Sequence, residues 1–160
     1  MVKFIFGMIV ALLVSTSTDS LAKQVDDTFT VRKQMASKMI YKSLADRDSS
    51  YGMAKYYAEC SGMYNAIADK YDEDYKGNAT SVEFRDKSKS VNVIANFYWR
   101  IHSNSHRLDI KEMSDVAYKR YISFISVRGM NNNVIREKMY SCETTESTYN
   151  MVMNDNEQNE

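Results

Sequence analysis

The two histidines of the chain, His102 and His106, are the first residues whose spacing suggests chemistry. Because they are four residues apart, they would lie on one face of a helix, and Asp109 follows as an oxygen donor. Two imidazoles and a carboxylate can bind zinc or copper. However, Arg107 would place a positive charge beside the ion, and histidines near a helix C-terminus also complement the helix dipole. The pattern allows a metal site but favours a surface role.

An acidic stretch between two predicted helices has part of a calcium-loop pattern. Positions 1, 3, 6 and 12 of a twelve-residue loop are occupied by Asp72, Asp74, Gly77 and Glu83. Carboxylate oxygens in this pattern would bind calcium, and the stretch resembles the EF-hand over this single loop. Position 5 is Lys76, whose ammonium would stand where a ligand oxygen belongs. Without a metal, Gly77 would end one helix, and Thr80 with Glu83 would form a capping box for the next.

No common catalytic motif is present in the sequence. It lacks a glycine-rich phosphate loop, G-x-S-x-G, H-E-x-x-H and the C-x-x-C-H haem attachment. Carboxylates such as Glu59 and Glu83 would support a hydrolase only if the fold brought them together. Methionine pairs such as Met35 with Met39 can bind cuprous copper, but methionine more often fills cores. We therefore predict no catalytic residue and no cofactor, with an unrecognised hydrolase as an alternative.

The charge balance limits the partners. The 21 basic and 21 acidic side chains cancel, and no run of five like charges occurs. A nucleic-acid backbone or an anionic membrane surface would require a clustered positive charge. We therefore predict no nucleic-acid partner.

The N-terminal segment has the organisation of a secretory signal peptide. Lys3 precedes an apolar stretch over residues 4–14, and a hydroxyl-rich stretch follows over residues 15–20. As a helix the apolar stretch would reach only about 16 Å, too short for a bilayer core. Cleavage after Ala22 would leave residues 23–160 with no second apolar run, so no membrane span is expected. We predict export, to the periplasm of a Gram-negative host or otherwise by secretion, with an uncleaved anchor as the alternative.

Export determines how the two cysteines are interpreted. Thiols in an oxidising compartment tend to pair, and Cys60 and Cys142 allow one intramolecular pairing. Neither belongs to a C-x-x-C pair, which disfavours a reactive thiol. The disulfide would close a loop of about 80 residues and, in the chain-entropy model, contribute on the order of 4.5 kcal/mol. We predict a structural disulfide.

The elements that must position these residues are helices. Residues 23–160 contain no proline, and the apolar residues follow helical spacing. The predicted helices cover residues 28–46, 53–71, 81–105, a segment from near Asp109 to Gly129, and a segment after Asn131–Asn133. Gly129 would end the fourth helix, the asparagines would cap the fifth, and Asp109 with Glu112 would form a capping box. Gly62, inside the second helix, indicates the close approach of another backbone.

These segments predict an all-α fold, an antiparallel bundle of about five helices tied by one disulfide. Residues 1–22 would be the signal peptide, residues 23–153 a single helical domain, and residues 154–160 a disordered polar tail.

The chain is unusually rich in tyrosine. Twelve tyrosines exceed what one bundle core readily hides, since each buried hydroxyl needs a partner. Exposed tyrosines are common anchors of protein interfaces. We therefore expect an exported, non-enzymatic protein-binding module, such as a periplasmic inhibitor, immunity or accessory factor, acting through a tyrosine-rich helical face. A periplasmic metal or small-ligand carrier is the first alternative.

Overall fold

A computed structural model describes residues 30–74, 77–103 and 108–157, and they form five helices without a strand. Helix α1 is described over residues 30–45. The others are α2 (Arg47–Asp74), α3 (Ala79–His102), α4 (Leu108–Arg128) and α5 (Asn133–Glu157). The chain divides after Met35 into two compact units, Met1–Met35 and Ala36–Glu160. Of the first unit, only the α1 residues 30–35 are described, and the predicted signal segment lies outside the described residues.

Helix α2 is the central helix of the second unit. Buried alanines accompany its large buried side chains, so more than one side of α2 faces other helices. Ring pairs between α2 and α3 include Tyr51 with Trp99, Tyr57 with Tyr98, and Tyr64 with Phe84. Residue numbers fall along α3 as they rise along α2, so the two helices are antiparallel. The predicted all-α antiparallel bundle is confirmed.

Helices α2 and α4 meet backbone to backbone at Gly62. A Cβ atom added there would lie 2.6 Å from the amide nitrogen of Tyr118 and 2.7 Å from the Cβ of Ala117. It would also clash with the carbonyl oxygen of Ser114. Only glycine allows α4 to lie this close, and the close approach predicted from the sequence is confirmed.

A disulfide joins α2 to α5. The sulfur atoms of Cys60 and Cys142 are 2.05 Å apart, their Cα atoms are 5.9 Å apart, and both residues are fully buried. The predicted disulfide is confirmed.

The junction between α2 and α3 differs in one detail from the expectation. Gly77 has a positive φ of 69°, as a helix-ending glycine should. Helix α3 begins at Ala79, and its cap is Asn78, whose side-chain oxygen accepts from the Ser81 amide at 2.8 Å. The predicted capping box of Thr80 and Glu83 is therefore wrong, because both residues already lie inside the helix.

The junction between α4 and α5 also has a glycine at the end of the first helix and an asparagine cap at the start of the second. Gly129, with a φ of 80°, terminates α4, and the Asn132 side chain caps α5 by accepting from the Val134 amide at 2.9 Å, as predicted. Helix α4 begins at Leu108, which places Asp109 in its first turn rather than at its cap. Helix α5 continues to Glu157, so residues 154–157 of the predicted tail are helical, while residues 158–160 lie outside the described residues.

Candidate functional site

The predicted histidine site is described only in part. His102 ends α3, and its Nδ1 atom lies 2.9 Å from the carbonyl oxygen of Arg47. Its ring centroid is 5.0 Å from that of Tyr51 and 5.5 Å from that of Trp99. His106 lies outside the described residues. His102 thus belongs to an aromatic cluster at the end of α3.

The predicted calcium-loop residues have other partners. The Asp72 carboxylate accepts from the Gly77 amide at 2.9 Å and from the Arg85 guanidinium at 2.6 Å. A hydrogen bond from Ser81, together with these two contacts, lowers the pKa of Asp72 to about 2. Glu83 is exposed and forms an ion pair with Lys87 at 3.0 Å. The side chain of Asp74 is not among those described.

Metal-binding groups of three or more histidine, cysteine, aspartate or glutamate side chains do not occur within residues 30–74, 77–103 and 108–157. Nor is any helix of these residues both long enough and apolar enough to cross a bilayer.

Glu59 also has three partners. It accepts from the Lys138 ammonium at 3.0 Å and the Tyr121 hydroxyl at 3.0 Å, and it forms an ion pair with Arg120. Partial burial opposes its ionisation, but the hydrogen bonds from Lys138 and Tyr121 and the charges of Lys138 and Arg120 together hold the pKa of Glu59 below its usual value. The cluster connects α2, α4 and α5. Glu83, in contrast, pairs with Lys87, so Glu59 and Glu83 have different ion-pair partners.

Of the eleven tyrosines that the structure describes, four are buried, four are half-buried and three are exposed. Tyr57, Tyr64 and Tyr98 are fully buried, and Tyr121 is nearly so. The most exposed tyrosines that the structure describes are Tyr41, Tyr51 and Tyr140, one each on α1, α2 and α5. These three therefore do not share the face of a single helix.

A groove of about 530 Å³ opens between α2 and α4. Its lining is formed by Tyr51, Lys55, Glu59, Trp99, Asp109, Glu112, Met113, Val116, Ala117 and Arg120. Packed helices cross at an angle and separate on either side of their contact. The three α2 residues that line the groove all precede Gly62, where the two backbones touch, so the groove follows the gap that opens toward the start of α2.

The groove is amphiphilic. Tyr51 and Trp99 form an aromatic wall with ring centroids 6.0 Å apart. Arg120 is already paired with Glu59, whereas Lys55, Asp109 and Glu112 have no ion-pair partner among the described residues. A bound group would therefore meet aromatic rings and charged side chains together.

Exposed and half-buried apolar residues continue from the groove along α4. We call the residues Met113, Val116, Phe124 and Val127 the α4 track. At the helical repeat they fall within an arc of about 80°, which also contains the exposed Arg120, and they extend over about 21 Å. Val116 is 62% exposed and Val127 is 76% exposed, while Met113 and Phe124 are half-buried at the edge of the core. Helix α4 therefore has apolar residues on its solvent side as well as its core side.

Comparison with protein-family models, with curated proteins and with solved structures finds no match for this chain. The site is therefore interpreted from its own residues.

Sequence reasoning did not identify the groove or the α4 track. Two signals were present: Trp99 is the only tryptophan of the chain, and Val116 and Val127 fall outside the buried spacing of the fourth helix. Neither signal shows by itself which side chains face a groove, because that depends on how three helices pack.

Proposed function

We propose that the chain is an exported, non-enzymatic protein-binding module whose partner packs along the α4 track and into the adjoining groove. The proposal rests on the exposure of Val116 and Val127 on one face of α4, beside a concave site. Single exposed valines are ordinary on protein surfaces. Apolar residues that share a face and are rimmed by polar groups are typical of interaction sites.

The form of the surface favours a helical partner segment. The α4 track is about four turns long, and a helix laid along it would also face the groove between α2 and α4. In this mode of recognition, a few apolar side chains on one face of the partner helix insert into the surface that binds it. The Met113 and Val116 end would accept such an anchor beside Trp99, which also lines the groove.

The state of the carboxylates supports a role without catalysis. Glu59 and Asp72 are ionised and held by cationic partners, and their pKa values are lowered. A general acid or base needs a pKa near the working pH, so neither carboxylate is suited to proton transfer near neutral pH.

The disulfide supports export. Buried structural disulfides form and persist in oxidising compartments and are rare in the cytosol of mesophiles. Together with the signal-like N-terminal segment, the Cys60–Cys142 bond favours the periplasm of a Gram-negative host, or the outside of another cell. An inhibitor, immunity factor or accessory factor would act there.

Position-specific photo-crosslinking tests the proposal. A photoreactive amino acid is placed at Val116, and a matched one at Val93, which is 70% exposed on α3 and does not line the groove. Irradiation in the native host should give a discrete protein adduct from position 116 and none from position 93. Equal adducts from both positions, or none from position 116, would contradict a docking surface on α4.

A small-ligand carrier is the second candidate, because the groove volume lies within the range of small-molecule sites. Native mass spectrometry of the exported protein separates the two. A reproducible extra organic mass that is lost on Trp99→Leu would favour the carrier and contradict the use of the groove by a protein. An unliganded monomer would favour the binding module.

A further inference from the structure

We propose that the partner segment places a lysine or arginine side chain at the end of the groove formed by Asp109, Glu112 and the ring of Tyr51. This inference rests on the proposed function and specifies the chemistry of its partner.

Two carboxylates at this end have no ion-pair partner in the part of the chain that the structure describes. Asp109 and Glu112 line the same groove three residues apart on α4, and neither forms an ion pair within the described residues. Several carboxylates at other helix contacts are paired with cations, as Glu59 is with Lys138 and Arg120, and Glu143 with Lys87. The helix dipole accounts for an acid in the first turn, such as Asp109, but its effect has faded at Glu112.

The cations of the groove do not neutralise this end. The Arg120 guanidinium pairs with Glu59 and lies over the Tyr121 ring, 4.8 Å from its centroid. Lys55 lies on the exposed side of α2, and no ion pair joins it to either free carboxylate. The described lining residues thus include two unpaired carboxylates and one unpaired ammonium, which gives this part of the lining a net negative charge.

The aromatic wall adds a second attraction for a cation. Tyr51 is partly exposed beside Trp99, and an ammonium or guanidinium over an aromatic face is attracted by the ring. Carboxylates next to aromatic rings suit a basic side chain, which has both an apolar stem and a charged end. An acidic side chain would gain from Lys55 alone and would meet two like charges.

Paired synthetic peptides test this inference, with Trp99 as the reporter because it is the only tryptophan and lies in the groove. Both are amphipathic helices of about 18 residues, long enough to cover the α4 track, with the same leucine and alanine stripe. One carries lysines and the other glutamates at the positions beside the stripe. In a buffer of about 0.15 M salt, the disulfide-bonded chain should bind the lysine peptide at least tenfold more tightly.

Variants locate the preference. The Asp109→Asn, Glu112→Gln double variant should bind the two peptides with equal affinity. The control Asp86→Asn removes a carboxylate that pairs with Lys89 outside the groove, and it should leave the preference unchanged. A preference that survives in the double variant would overturn the assignment to these residues.

The remaining outcomes separate this inference from the proposed function. If both peptides bind equally to the unmodified chain and Val116→Asp weakens both, the basic-residue inference is wrong while the docking surface stands. If neither peptide shifts the emission of Trp99, both proposals are contradicted.

Discussion

At Gly62, the absence of a side chain decides how closely two helices can approach. We expect Gly62→Ala to destabilise the fold by about 1–3 kcal/mol, because the nearest atoms include backbone atoms of Ser114 and Tyr118, which cannot move aside. This loss should appear although alanine favours the helix by about 1 kcal/mol over glycine. Urea unfolding followed by circular dichroism measures the change.

Gly52 provides the matched control. It lies in the same helix, and a Cβ added there would have no atom within 4 Å. Gly52→Ala should therefore stabilise the fold by about 0.5–1 kcal/mol. A change of the same sign in both variants would show that the contact with α4 does not limit position 62.

The buried tyrosines make the fold sensitive to alkali. Burial raises the pKa of Tyr57 and Tyr64 well above the usual value, and that of Tyr98 and Tyr121 to about 12. The folded state therefore keeps protons that the unfolded chain loses near pH 10. The corresponding stability is fully present below about pH 10 and is lost as the pH rises through about 12.

Absorbance at 295 nm checks this prediction. The four buried tyrosines of the folded chain should ionise only well above pH 10, together with the loss of helical circular dichroism. The urea-unfolded chain serves as the control and should titrate in one step. A single step near pH 10 in the folded chain, with its helical signal intact, would contradict the buried tyrosine core.

At the scale of the helix, Asn78 and Thr80 distinguish two caps for α3. Asn78 accepts from the Ser81 amide and donates to the Tyr71 carbonyl at 2.8 Å, so Asn78→Ala should cost about 1 kcal/mol. Thr80→Ala should change the free energy of unfolding by less than about 0.5 kcal/mol. Thermal or urea unfolding of the pair measures both, and a larger loss at Thr80 would restore the cap predicted from sequence.

The helices themselves could be predicted from the sequence. Apolar spacing without proline indicated five helices, and Gly77, Gly129 and the asparagines near residue 132 indicated three of their ends. The capping boxes at Thr80 and Asp109 were misplaced because the spacing of a capping box also occurs inside a first turn. Local patterns identify a helix better than they identify its first residue.

The groove could not be predicted at this scale. Its lining comes from three helices. Its width depends on how far α2 and α4 separate on the N-terminal side of Gly62 in α2. The tyrosine-rich surface was inferred from a count of residues, and a count does not show which rings pack inside. Tyr57 and Tyr98 are parallel in the core, with ring centroids 6.0 Å apart.

At the scale of the whole molecule, the disulfide ties α5 to the central helix. The Cys60→Ser, Cys142→Ser double variant should lose about 2–5 kcal/mol, because its unfolded chain is no longer restrained by the cross-link. Urea unfolding of the oxidised chain and of the double variant measures the difference. Because both cysteines are fully buried, dithiothreitol should reduce the folded chain far more slowly than the urea-unfolded chain. Equal unfolding midpoints would show that the bond contributes nothing.

A protein partner that binds along α4 should lose affinity when a charge is placed on the α4 track. The most direct measurement is the calorimetric affinity of the partner identified by crosslinking for Val116→Asp and for Val93→Asp, two exposed valines on different helices. An aspartate at position 116 would place a charge in the apolar track, so the affinity should fall at least tenfold, while the variant at position 93 should bind as the unmodified chain does. Equal affinities of the two variants would contradict a partner-binding surface along α4.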